Sequence, residues 1–214
     1  MPHLLHLDSS ADPRTSASRT VTAAFVDAWR ARGADFTVTS RDLQADPPPH
    51  LPDALLHWAP ALRTPDEVAD PAAEAVQQGY LDELLAADVL LIGAPMYNWS
   101  LPSTLKAWVD HVHVLGTTVP FGPGTSPLAG RPAVVVSSRG AAYDPGTPTA
   151  DWDHTVPPLQ LVLGQSFGMT VEVVPVQLTL AGRVAPLADR RDEAVAGAAA
   201  ARTRAVELAG ALPG

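Results

Sequence analysis

Asp88-Val89-Leu90-Leu91-Ile92-Gly93-Ala94 decides the fold class. The run is short, and every position from Val89 to Ile92 is apolar, so it has no polar face to offer water. A strand of this kind is buried on both faces, as in the middle of a parallel sheet covered by helices. Shorter runs of similar character lie on either side. His3-Leu4-Leu5-His6-Leu7 ends near Asp8, and Phe36-Thr37-Val38-Thr39, Ala133-Val134-Val135-Val136 and residues 170–176 follow. Between them the apolar period becomes helical. After Ala17, the residues Val21, Ala24, Phe25, Ala28 and Trp29 form one inward face. Residues 72–86, 103–115, 156–167 and 189–208 read as further helices, with Leu105, Trp108, Val109 and Val112 inward in the second of these and Pro157 and Pro158 suited to the first turn of the third. Residues 41–70, proline-rich and polar in patches, read as an excursion outside the sheet. Strands alternating with helices predict a parallel sheet with right-handed crossovers, in one domain over residues 1–214. Ligands of such sheets bind outside the strand C-termini at the switch point. The loops after the first, third and fourth strands are therefore the candidate site.

The bulk properties narrow the function. The chain has 214 residues, 46% apolar and 17% charged, enough for one α/β domain. A net charge of -9 gives no general attraction for nucleic acid or an anionic membrane, and neither is an expected partner. No cysteine is present, which removes disulfides, thiolate metal sites, iron–sulfur clusters and a Cys nucleophile, and suits a cytoplasmic protein. Residues 1–10 lack the cationic start of a signal peptide, and no apolar run is long enough to span a membrane. The histidines do not predict a metal site. His111 and His113 point ~200° apart around a ~3.6-residue turn. His3 and His6 bracket a strand, while His50, His57 and His154 scatter in loops. A Ser–His–Asp hydrolase would need a Gly-x-Ser-x-Gly elbow, and no such motif is expected in this chain. There is no Walker P-loop and no dinucleotide fingerprint after the first strand.

The first loop carries Ser9, Ser10, Thr15, Ser16 and Ser18 ahead of a helix N-terminus. Free N–H groups and the helix dipole make such a position receptive to phosphate, with hydroxyls as extra donors and Arg14 or Arg19 as counter-charge. Ser16 or Ser18 also fits a plain N-cap. The second loop is Ala94-Pro95-Met96-Tyr97-Asn98-Trp99. Asn98 and the backbone amides match the polar edge of a flat heterocycle, and Met96, Tyr97 and Trp99 can wall it. The third is Ser138-Arg139-Gly140-Ala141, where Gly140 allows close backbone approach and Arg139 can hold negative charge near a reduced ring.

Residues 94–112, Ala-Pro-Met-Tyr-Asn-Trp-Ser-Leu-Pro-Ser-Thr-Leu-Lys-Ala-Trp-Val-Asp-His-Val, resemble the signature of FMN-dependent NADH:quinone oxidoreductases, also called azoreductases. The usual form there is Met-Tyr-Asn-Phe, with Trp99 in place of Phe here. Residues 8–10 and 16–18 resemble that family's phosphate loop, and Ser-Arg-Gly-Ala at 138–141 its Ser-Arg-Gly-Gly. The resemblance implies a flavodoxin-like doubly wound five-stranded parallel sheet, order 2-1-3-4-5, with helices on both faces. It also implies FMN, its phosphate held by Ser10, Ser16, Ala17 and Ser18. The ring would be held by Met96, Tyr97, Asn98 and Trp99, and flanked by Ser138, Arg139, Gly140 and Ala141. NADH or NADPH would donate electrons to a quinone or azo acceptor, and a homodimer would complete each site. Two departures stand out: a proline- and glycine-rich segment over 117–130, with Phe121 as its aromatic pocket residue, and Ala141 for the second glycine. The flavin does the redox chemistry, so no catalytic side chain is expected. A shared pocket implies ping-pong kinetics, and Tyr143 or water can supply a proton. The alternative is a non-catalytic flavodoxin-like FMN-binding electron carrier or regulatory protein.

Overall fold

The computed structural model describes residues 1–144 and 146–213. Pro145, inside the loop expected over 139–148, and Gly214, the end of the expected domain, lie outside the described residues. The central run forms β3 (Val89–Gly93), buried at every position. Its alternation divides the core in two. Leu90 and Ile92 join one apolar cluster, and Val89 and Leu91 the other, as the two-residue period of a strand requires. The first cluster is closed by α2 (Pro71–Ala86), α3 (Ser103–Val112) and α4 (Val156–Leu159), through Leu84, Trp108 and Leu159. The second is closed by α1 (Ala17–Arg30) and α5 (Arg191–Ala211), through Phe25, Trp29, Ala205 and Leu208. Each fully buried large apolar side chain contributes about 1.5–3 kcal/mol.

β1 (His3–Asp8), β2 (Thr37–Asp42), β4 (Pro132–Ser138) and β5 (Thr170–Val176) complete a parallel sheet of order β2-β1-β3-β4-β5. This is the flavodoxin-like order, with helices on both faces, as expected. The edges show edge chemistry. β2 is polar along most of its length, and β5 carries an exposed Pro175, a residue confined to edge strands because it cannot donate to a ladder. Capping fixes helix starts. Ser16 accepts from Arg19 N–H ahead of α1, and Asp70 accepts from Ala72 N–H ahead of α2, whose first residue is Pro71. Among the described residues no helix is long and apolar enough to cross a membrane.

Of the boundaries that differ from expectation, three change the picture of the sheet and its helices. β2 continues to Asp42, so Arg41 and Asp42 belong to the sheet and not to the excursion; β1 runs on to Asp8 and pairs Leu7 with Arg41 and Asp8 with Asp42. The α3 helix stops at Val112 because the Thr118 hydroxyl donates to the Val112 carbonyl and accepts from Val114 N–H. The helix expected over 156–167 widens after Leu159 into a π-helix, Gln160–Ser166, seen in Phe167 N–H donating to the Val162 carbonyl five residues back. The wider turn keeps Leu159, Leu163 and Phe167, spaced by four, on one fully buried line.

Candidate active site

The register sets the site. Asp8 pairs with Gly93, Gly93 with Val136, and Ser138 with Val176, so the parallel strands release their loops at one edge of the sheet. A cavity of about 580 Å³ lies there, lined by Ser10, Thr15, Ser16, Ala17, Pro95, Tyr97, Ser138 and the segment 176–183. That size is in the range of small-molecule sites. All three expected loops reach it. The wall at 176–183 was not anticipated, although an all-parallel sheet must deliver the loop after β5 to this same edge.

The first loop is built from side-chain-to-backbone bonds. Ser9 Oγ donates to the Gly93 carbonyl at 2.7 Å. The Asp12 carboxylate accepts from the N–H groups of Arg14 (2.8 Å) and Thr15 (3.1 Å), and from the Thr15 hydroxyl. That hydroxyl, followed by the two amides, holds the Asp12 carboxyl down to about 2. Ser16 Oγ lies 3.1 Å from Ser18 Oγ while capping α1. The first N–H groups of a helix have no intrahelical acceptor, which leaves that of Ala17, in the cavity lining, for a ligand. Ser18 itself is buried beneath the cavity and does not line it. Arg19 is not free as a counter-charge: its Nη1 and Nη2 donate to Asp42 at 2.8 and 2.7 Å. Arg14 is exposed and does not line the cavity.

The second loop is a two-residue reversal. Tyr97 and Ser100 exchange N–H to carbonyl bonds of 2.9 and 3.0 Å, with Asn98 at φ 50° and Trp99 at φ 64° between them. Positive φ at both central positions is the type I′ turn, easy for Asn and strained for Trp. Met96 N–H donates to the Ser138 carbonyl at 2.8 Å, which locks this loop to the third. Asn98 is exposed at the turn, and Met96 is half-buried. Tyr97 does more than wall a ring. Its hydroxyl accepts from Ala11 N–H at 2.9 Å and lies 3.2 Å from Ser10 Oγ, joining the second loop to the first. Trp99 meets Trp152 edge-on, with ring centroids 5.7 Å apart. His154 N–H donates to the Trp99 carbonyl at 2.8 Å, and these three residues line a second cavity of about 300 Å³. Trp152 was not singled out from sequence, and His154 was weighed there only as a metal ligand; the signal for Trp152 was a large aromatic in a loop with no apolar period.

The third loop behaves differently from the expectation for Arg139. Its side chain is buried, and Nη2 lies 2.8 Å from Asp153 Oδ2. The guanidinium charge is thus already neutralised by a carboxylate. Gly140 lies against the exposed Leu180: a Cβ there would sit 2.7 Å from Leu180 Cδ1, the end of a side chain free to turn aside. Ala141 is half-buried, and its carbonyl accepts from Leu178 N–H at 3.4 Å. Tyr143 is held through its N–H, which donates to Gln177 Oε1 at 2.8 Å. Phe121 lines neither cavity; it packs edge-on against Trp58 at 6.0 Å. Ser10, Ser16, Ala17, Tyr97 and Ser138 therefore share the larger cavity, with Trp99 at the smaller one.

Among the described residues no group of three or more His, Asp or Glu side chains could hold a metal ion. Against expectation, the spacing Gly-x-Ser-x-Gly does occur, at Gly164-Gln165-Ser166-Phe167-Gly168. It lies where the π-helix runs into β5, a helix-to-strand junction at the opposite edge of the sheet from the loops above. A nucleophile elbow is a strand-to-helix turn, so this match carries no hydrolase chemistry.

The topology and the loop cavity define a flavodoxin-like α/β protein, and a family model described as flavodoxin-like fold matches residues 2–204. An FMN-dependent NADH:quinone oxidoreductase of Kineococcus radiotolerans is 56% identical over 214 residues, covering 99% of this chain and 100% of that one. Another, of Streptomyces coelicolor, is 45% identical over 187 residues, covering 86% and 82%. The chain belongs to the family of FMN-dependent NADH:quinone oxidoreductases. An azoreductase from Bacillus anthracis str. Sterne shares the fold with a TM-score of 0.82 at 22% identity, covering 98% of this chain and 99% of that one.

Proposed function

We propose that this protein is an FMN-dependent enzyme that passes two electrons from NADH or NADPH to quinones and azo compounds with ping-pong kinetics. It would work as a cytoplasmic homodimer, each subunit one domain over residues 1–214. The observation that carries this reading is the cavity of about 580 Å³ shared by the serine loop, Tyr97 and Ser138. Its donors fit a phosphate, since the Ser10 and Ser16 hydroxyls and the N–H of Ala17 converge on the start of α1. Asn98 at an exposed turn fits the polar edge of a flat ring. Bound FMN supplies the two-electron chemistry. Met96, Trp99, Gly140 and Ala141 would bound the ring. Trp99 and Trp152 would form an aromatic shelf for whichever planar substrate occupies the pocket, donor or acceptor in turn. The Tyr143 hydroxyl or water would supply the proton that a reduced quinone takes up. The half-exposed Trp99 and Trp152 beside the site support a second copy as its cover. The relatives' shared name favours NADH as donor.

The test is an anaerobic absorption spectrum of the purified protein. A flavin spectrum that bleaches on adding NADH, with parallel double-reciprocal lines against quinone, is the expected result. A protein that binds no FMN, or lines that intersect, would refute the cofactor or the shared pocket respectively. Sedimentation tests the dimer.

A further inference from the structure

We propose that Arg19 and Asp42 are positioning residues that turn the carbonyl of Ser10 away from the phosphate end of the cavity, and so set how tightly the protein holds a phosphorylated flavin. This rests on the cofactor reading above. A loop that receives an anion must present N–H groups and hydroxyls and hide its carbonyl oxygens, because an inward carbonyl dipole repels the ligand. The loop between β1 and α1 meets that need at the Ser10–Ala11 peptide.

The peptide is held at both ends. The Ser10 carbonyl accepts from Arg19 Nη2 at 2.8 Å. The amide of Ala11 donates to the Tyr97 hydroxyl at 2.9 Å. In a trans peptide the carbonyl and the N–H point in opposite directions. Arg19 and Tyr97 therefore fix one plane from opposite sides, leaving the Ser10 side chain in the cavity lining with Ser16 and Ala17.

Arg19 is in turn held by acids. Its fork meets Asp42 at 2.8 and 2.7 Å, and Nη1 lies 3.7 Å from Asp8 Oδ2. Asp42 closes β2 and also accepts from Gln44 and Ala45 N–H at 3.0 and 3.3 Å, so it is anchored to the backbone. Asp8 accepts from the Thr22 hydroxyl at 2.9 Å, with His6 Nε2 3.4 Å away. One cation faces two carboxylates and has no net positive charge to offer a phosphate. The arrangement orients the loop and does not act as its counter-charge.

The sign of one substitution separates these roles. Asp42→Asn releases half of the fork. Full-length wild type and variant are titrated into FMN and into riboflavin, which has the same ring without the phosphate, and quenching of flavin fluorescence is followed. The expected result is a loss of FMN affinity on the order of tenfold, as for one charge-assisted hydrogen bond, with riboflavin affinity unchanged. Arg19→Lys keeps the charge but not the fork, and is expected to behave in the same way if the first variant does not fold. Unchanged or tighter FMN binding would mean that the freed guanidinium serves the phosphate directly, and overturns the proposal. Equal losses for both flavins, or failure of both variants to fold, would make the pair a general stability element and also overturn it. Wild type that binds no FMN would sink the cofactor reading first, an outcome distinct from the others.

Discussion

Asp153→Asn is expected to destabilise the protein by about 3 kcal/mol. Asp153 and Arg139 are 10% and 8% exposed at their side chains, and Nη2 and Oδ2 are 2.8 Å apart, so water and salt screen the pair weakly. Among the described residues the other polar contact of the guanidinium is a long one, 3.4 Å from Nε to Ser137 Oγ. Asparagine keeps the shape of the side chain. Its amide oxygen can still accept from Thr155 and Val156 N–H, as Asp153 Oδ1 does at 2.8 and 3.1 Å, so the start of α4 keeps its cap. What is lost is the charge facing a buried cation, and removing one member of a buried pair costs about 3–5 kcal/mol. For a chain of this size about 2–4 °C of Tm follows each kcal/mol, so a fall of roughly 6–12 °C is expected. Thermal unfolding by circular dichroism measures it, at fixed FMN concentration because a bound ligand shifts Tm. Arg139→Met combined with Asp153→Asn removes both charges, keeps the two backbone hydrogen bonds to residue 153, and should recover most of the loss. A fall below about 2 °C for the single variant, or a double variant no better than the single, would refute the argument that the pair is desolvated.

Asn98→Gly preserves the positive φ of the turn and removes only the side chain, whereas Asn98→Ala adds about 1 kcal/mol of backbone strain; FMN retention should fall in both and more in the second, and wild-type retention in the glycine variant would exclude a side-chain contact to the ring. Trp152→Ala should raise KM for planar acceptors severalfold with FMN affinity unchanged, while Phe121→Ala, resting on Trp58 away from both cavities, should move KM less; the reverse order in steady-state kinetics would place Phe121 in the pocket. Hydrogen bonding from Arg19, opposed by some burial, holds the Asp42 carboxyl below its ordinary 3.8. A lowered carboxyl contributes stability above its unfolded pKa and loses it as pH falls through the folded one, so the stability gap between wild type and Asp42→Asn should be full above about pH 5 and shrink in more acid solution. A gap that stays constant into that range, measured by urea unfolding, would show that the Asp42 charge does not contribute.

Much of this protein is local and was legible in the chain. The uninterrupted apolar run of β3, the helical faces of α1 and α3, and the serine cluster ahead of a cap are patterns over a few neighbouring residues, and patterns of that length set strand, helix and turn. Parallel topology then requires the loops to meet at one edge, and the cavity lies there. Other features depend on residues far apart in the chain. Arg19 is 23 residues from Asp42, and its partners became visible only when β2 extended along β1 as far as Asp42. Trp152 reaches Trp99, and Tyr97 reaches Ala11 across 86 residues, with no sequence period to announce either. A charge or an aromatic ring in a loop has many partners available to it, and packing selects one. The sequence alone therefore determined the sheet, the edge at which its loops gather and the residue types found there. The tertiary structure decided how the arginines of these loops are paired, the part-buried Arg19 with Asp42 and the buried Arg139 with Asp153, because a cation withdrawn from water takes the carboxylate that the fold places beside it.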